Sequence, residues 1–194
     1  MPLSAYEYLT RIGRLVQAEE RASAGGLPPV QLHALDYLVR CNRYSDKPAA
    51  VGDYLQVTKG TASQTLLALE RRGLIEKRSD AADRRIVRLR VTSRGRSLLR
   101  RAMPPPLVVT ALDGLPAEQR RRIMGALDSF LRELQRVNQG RSFGVCHTCR
   151  HFVREGNERF RCGLTSDALS VDESTRICRE HESAGVSNRK GASQ

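Results

Sequence analysis

Apolar residues recur at positions 5, 8, 9, 12, 15 and 16, the spacing of one helical face, and predict an amphipathic helix from Ala5 to Glu19 that Gly25-Gly26 stops. The stretch LPPVQLHALDYLVR places Pro29 in a first-turn position and repeats apolar residues at 32, 35, 38 and 39, which predicts a second helix ending near Cys41. KPAAVGDYLQV reads as a short third helix. Thr58 supplies an N-cap hydroxyl for KGTASQTLLALERR, whose buried face is marked by 62, 66, 67 and 69 and whose stop is Gly73. Two helices joined so closely make a helix-turn-helix.

Beyond Gly73 the period changes from helical to alternating. LIEKRS and RRIVRLRVT read as two strands joined by DAAD, with Val87, Leu89 and Val91 on one face and Ile86, Arg88 and Arg90 on the other. Thr92 caps a fifth helix, SRGRSLLRRAM, interrupted at Pro104, Pro105 and Pro106, after which apolar residues resume at 107, 108, 109 and 112. Gly114 to Pro116 separate it from a sixth helix, where Ile123, Leu127, Phe130, Leu131, Leu134 and Val137 form a near-heptad stripe. A lone helix cannot hide such a stripe, so the first and sixth helices are expected to pack together and against a second copy. The fold class expected is mainly α with a small β wing: a winged helix-turn-helix with N- and C-terminal dimerisation helices and a small C-terminal Cys-rich metal-binding segment. The domains expected are 1–139, the Cys-rich segment 140–182 and a disordered tail 183–194, with the linker at Asn138 to Ser142.

Charge adds a partner. The 194 residues carry 33 Lys plus Arg against 21 Asp plus Glu, a net +12. Lys59 to Arg101 hold 13 of those cations against four acids, an excess of one sign that points to a polyanion. No stretch approaches the roughly 18 apolar residues of a membrane span, and the N-terminus lacks the apolar core of a signal peptide. A cytoplasmic protein without membrane attachment is expected, in a compartment where clustered cysteines bind metal or do redox chemistry.

The recognition helix of a helix-turn-helix enters the major groove by its N-terminal residues. Here those are Thr58, Lys59, Gly60, Thr61, Ser63 and Gln64. Gln64 can pair with adenine, Lys59 can reach guanine or phosphate, Thr61 can meet a thymine methyl, and Gly60 lets the backbone come close. Arg84 and Arg85 at the hairpin tip are placed for the flanking minor groove, with Asp83 orienting an arginine by a salt bridge. Arg71, Arg72, Arg94 and Arg96 read as phosphate contacts or plain surface, and His33 and Cys41 as packed or surface residues.

LPPVQLHALDYL, VTKGTASQTLLALERRGLIEKR and SDAADRRIVRLRVTSRGRSLL, the last with its D-x-R wing and T-x-x-G-R helix start, resemble the multiple antibiotic resistance regulator (MarR) family over about residues 5 to 137. The resemblance implies a homodimer that binds a palindromic operator on double-stranded DNA, usually as a repressor, and a small aromatic effector; no enzyme activity is expected.

Four of the five cysteines form C-x2-C-x12-C-x15-C at Cys146, Cys149, Cys162 and Cys178, and His181 completes a C-x2-H. C-x2-C lets two thiolates meet one metal from a tight turn, and metal supplies folding energy that a segment of about 40 residues lacks. Two centres fit. One is Zn2+, held by the four cysteines or by Cys146, Cys149, Cys178 and His181. The other is a 4Fe-4S cluster, since the ligand order resembles that of high-potential iron-sulfur proteins and Phe143, Phe152 and Phe160 could form an apolar shell. His147 and His151 flank the pair as supporting donors or surface residues. A zinc would staple the segment, and a cluster would make the chain a redox-responsive regulator. A metal- or thiol-dependent enzyme and a protein-docking module are the competing readings of this segment.

Overall fold

In the computed structural model, which describes residues 3–80, 83–138 and 141–183, the apolar periodicity resolves into eight helices and five strands among the described residues. Ser4 accepts a hydrogen bond from the Glu7 amide while the Glu7 carboxylate accepts one from the Ser4 amide, and this reciprocal cap starts α1, Ala5–Ser23. α2, Pro29–Arg40, opens on the predicted proline and buries Leu32, Ala34, Leu35, Tyr37 and Leu38. α3, Pro48–Leu55, precedes α4, Lys59–Arg71, and the Tyr37 and Tyr54 rings stack at 4.4 Å between centroids. Each leucine so buried contributes about 1.5–3 kcal/mol, and the core of the first unit is built mostly from α2 and α4.

β1, Ile75–Ser79, pairs antiparallel with β2, Val87–Val91, in a register that sets Ile75 opposite Val91 and Lys77 opposite Leu89. Leu89 and Val91 are buried whereas Val87 at the outer end is exposed, so the alternation tapers towards the tip. Arg88 ties the hairpin down: its guanidinium donates to Asp80 at 2.7 Å and to Asp46, ahead of α3, at 2.8 Å, with only 24% of the side chain exposed. Replacing Arg88 by alanine leaves two carboxylates facing the space of a lost cation; urea unfolding is expected to show a loss of about 1–2 kcal/mol. An unchanged midpoint would show the bridge to be incidental.

The T-x-x-G pattern has a local cause. The Thr92 hydroxyl donates to Gly73 O at 2.8 Å and accepts from the Gly95 amide at 3.1 Å, joining the wing to α5, Ser93–Ala102. A Cβ on Gly95 would stand 2.3 Å from Leu74 O, so only glycine fits there. Where the sequence predicts one interrupted helix, two form, α5 and α6, Pro106–Asp113. Met103 turns extended between them because the prolines after it remove amide donors and disfavour helical backbone ahead of them. α7, Ala117–Val137, follows; it buries none of its residues, and its apolar stripe stays open, with Leu127 47% and Phe130 40% exposed.

The chain forms two compact units, Met1–Val39 with Asp46–Leu131, and Arg40–Ser45 with Arg132–Gln194. Sequence pattern puts the boundary at 139/140; packing puts it at Leu131/Arg132 and adds Arg40–Ser45, the connection between α2 and α3, to the second unit. The end of α7 goes with the second unit as Gln135 donates to Ser142 O at 2.9 Å. That unit also holds strands absent from the sequence reading: β3, Phe152–Gly156, β4, Arg159–Cys162, and β5, Ala168–Leu169, in one antiparallel sheet of order β3-β4-β5. α8, Val171–Ser174, is a single turn with a Ser170–Glu173 capping box. Residues 81–82 of the predicted hairpin turn, 139–140 of the predicted linker and 184–194 of the predicted tail lie outside the described residues. Among the described residues no helix is long and apolar enough to cross a membrane.

Candidate nucleic-acid interface and cysteine cavity

In the first unit, α4 separates its residues into two faces. Ala62, Thr65, Leu66 and Leu69 are buried, whereas Thr58, Lys59, Gly60, Thr61, Ser63 and Gln64 are all exposed at its N-terminal end. Thr58 serves the helix itself: its hydroxyl accepts from the Thr61 amide at 3.2 Å and meets the Thr61 hydroxyl at 3.0 Å. The outward side chains that remain for recognition are therefore chiefly Lys59, Ser63 and Gln64, with the Gly60 backbone bare beside them.

At the hairpin tip Arg84 and Arg85 are both exposed, Arg85 at 91% of its side chain. Asp83 does orient an arginine: Arg85 Nε and Nη2 each donate to its carboxylate at 3.0 Å. An ion pair so open to water contributes little and is screened by salt, so the fork can exchange its carboxylate for a phosphate. Arg72 has a different task, donating to the Gly26 and Gly25 carbonyls at 3.3 and 3.5 Å, whereas Arg71, Arg94 and Arg96 lie exposed. His33 is 40% exposed at its side chain, its Nε2 lying 3.2 Å from the buried Glu20 carboxylate. A cavity of about 380 Å³ lies beside α4, where Asp53, Lys59 and Lys77, the last paired with Glu70 at 2.6 Å, stand among Val57, Ala62 and Leu66.

In the second unit all four cysteines of the spaced set line one cavity of about 50 Å³. Separate pieces of chain deliver them. A 3-10 turn at Cys146–Thr148, closed by the Cys149 amide on Cys146 O at 3.0 Å, brings Cys146 and Cys149 together. Cys162 ends β4 opposite Phe152. Cys178 follows Ile177, which bridges to both Cys41 and Val145, and its own amide donates to Gly144 O at 3.0 Å. The cavity lining is almost wholly apolar, with Phe152, Leu164 and Leu169 beside the sulfurs and Phe160 packed on Phe152 at 5.1 Å.

The thiols are free. Cys146 and Cys178 share a hydrogen bond; it pushes the Cys146 thiol up, together with burial, and holds Cys178 down at about 6. Asn42 Nδ2 donates to Cys146 Sγ at 3.4 Å, and the Glu182 amide to Cys149 Sγ at 3.5 Å. His181 stands outside the cavity lining. It is 6% exposed, its Nδ1 is 2.6 Å from Ser142 Oγ and its Nε2 is 2.9 Å from Thr148 Oγ1, so hydroxyls occupy both ring nitrogens. Burial lowers its pKa from the usual histidine value. Gly144 lies flat against that ring, where a Cβ would come within 2.4 Å of it. His151 lines the cavity and pairs with Glu182 at 3.3 Å; His147 points to Ser174 O at 3.1 Å; Cys41 is simply buried.

Among the described residues no group of three or more Cys, His, Asp or Glu is gathered closely enough to hold a single metal ion. The unit also draws on residues that sequence reasoning missed. Asn42 and Ser45 are buried in it, with Ser45 Oγ accepting from the Arg179 amide at 2.8 Å, and the Tyr44 hydroxyl donates to Asp167 at 2.7 Å. Polar residues in a short connection carry no periodic signal, and only their burial reveals them.

Residues 25–86 match the model of the MarR family. Three solved structures are similar over about two thirds of the chain. FabT of Streptococcus pneumoniae, solved in complex with DNA, is 29% identical with a TM-score of 0.56, covering 68% of this chain and 96% of its own. MepR of S. aureus, in a DNA complex, is 21% identical with a TM-score of 0.59 over 68% of this chain and 99% of its own. A probable transcriptional regulator from Pseudomonas aeruginosa is 22% identical with a TM-score of 0.51, covering 66% and 96%. The latter two likenesses bear on the fold alone. No curated protein sequence matches the chain.

Proposed function

We propose, from the match of residues 25–86 to the MarR family and the wing hairpin that β2 completes, that this chain is a DNA-binding transcription regulator acting as a homodimer on a palindromic operator, and that it represses. The observation that carries the reading is the two-faced α4 beside a basic hairpin tip: every residue expected to meet DNA is exposed, while the opposite side of the helix is packed. Two such units related by a two-fold axis would read two half-sites about one helical turn apart. The open stripe of α7, together with Tyr8, Leu9, Ile12 and Leu15 exposed on α1, supplies the apolar surface that a second copy would cover.

The test is selection of duplexes from a random pool by the full chain, followed by binding to the recovered sequence across a salt series. Enriched sequences should show two-fold symmetry, and log affinity should fall linearly with log salt. Recovery of unsymmetrical sequences would overturn the dimeric operator, and failure to retain duplex at low salt would overturn the regulator itself.

A further inference from the structure

We propose that the cavity bounded by Cys146, Cys149, Cys162 and Cys178 is the site of a 4Fe-4S cluster, and that Arg40–Ser45, forming part of the same site, carries its occupancy into the helix-turn-helix. Only the second half rests on the regulator reading; the cluster site stands without it.

Size argues first. A single zinc draws its thiolates in to about 2.3 Å, so the sulfurs close on a point and leave no void. Here four cysteines border about 50 Å³, several times the roughly 10–15 Å³ that admits one water. That is room for a group of several atoms. Chemistry argues second. Phe152, Leu164 and Leu169 give the walls an apolar part of the kind that shields a cluster from water, with Tyr44, His151, Thr165 and Glu180 completing them. Asn42 Nδ2 and the Glu182 amide already donate to Cys146 and Cys149 sulfurs, the hydrogen bonds by which proteins tune cluster thiolates. Two ferrous and two ferric ions, four sulfides and the four thiols assemble by forming four Fe–Sγ bonds, with release of four thiol protons and no net electron transfer.

The connection to the first unit is covalent. Arg40 ends α2, and its carbonyl accepts from the Ile177 amide at 3.0 Å; the Asn42 amide donates to Ile177 O at 2.9 Å. Ile177 is next to the ligand Cys178, and Asn42 touches the ligand Cys146. Loading or losing the cluster therefore acts directly on the segment that joins α2 to α3.

The full chain, purified without oxygen and reconstituted with iron and sulfide, should turn brown and hold about four iron and four sulfide per chain. Cys162→Ser should lose that colour while keeping its far-ultraviolet dichroism. One zinc per chain that excludes iron, or a colourless wild-type chain after reconstitution, would overturn the cluster; neither measurement depends on a variant folding. For the coupling, loaded and apo chains should differ about tenfold in affinity for the selected duplex. Arg43→Ala, which removes the bond from this link to Ala168 O and lies outside the cavity lining, should retain the colour and shrink that difference to about twofold or less. Equal affinity of loaded and apo wild type would overturn the coupling while leaving the cluster standing, and a loaded chain that binds no duplex in either form would overturn the regulator reading instead.

Discussion

Replacing Leu127 and Phe130 of α7 by aspartate should convert the proposed homodimer to a monomer and weaken binding to the selected duplex by about 100-fold or more. Both side chains are large, apolar and open in the single chain, on a helix that buries nothing of its own. Two carboxylates on that stripe would have to lose their water on association without gaining a partner, a penalty that association cannot offset. The effect on DNA is indirect but larger than that of any one contact, because a linked second half-site raises affinity by about 10²–10⁴ over one site alone. Sedimentation of the variant gives the first readout, and its binding curve the second. A variant that still sediments as a dimer would move the interface elsewhere, whatever its affinity.

Arg84→Ala combined with Arg85→Ala should weaken duplex binding by about tenfold or more at low salt and flatten the dependence on salt by roughly one unit of slope for each arginine engaged. Arg84 is expected to account for most of this. Arg85 already shares its charge with Asp83, and part of its attraction to DNA is spent in displacing that carboxylate. Asp83→Ala should therefore strengthen non-specific binding slightly while leaving the sequence preference in place. Titration of each variant between low and high salt checks these expectations. A double variant with an unchanged slope would remove the wing from the interface.

The helices and the wing were legible because each has a buried side that imposes a period. The three- and four-residue spacing of α2 and α4 and the alternation of Leu89 and Val91 follow from one-sided packing, and the caps at Thr58 and Thr92 stand where hydroxyls can take an amide. The break of the predicted fifth helix into α5 and α6 was legible as an interruption at the prolines, though not as two helices. The second unit was harder to read. Its strands are two to five residues long, too short to show alternation, and its sheet is recognisable only from pairing. Convergence of the four cysteines was anticipated from their spacing, but spacing says nothing about the void between them, or about the six residues from far upstream that complete the unit. His181 shows the same limit: a C-x2-H looks like a ligand pair until the hydroxyls of Ser142 and Thr148 are seen at its nitrogens.

The membership of Arg40–Ser45 in the cysteine unit has a consequence for dissecting the protein. A chain cut before residue 139 would appear to be a clean winged-helix fragment, yet it would strip Asn42 and Ser45 of the partners they have in Cys146 and Arg179. The cut would also remove Ile177, which accepts from the Asn42 amide and donates to Arg40 O, and so would open to water the very link that sets the spacing of two helices. Modularity in this protein therefore runs across the sequence rather than along it, and a truncation meant to remove the cysteine unit would also alter the connection between α2 and α3.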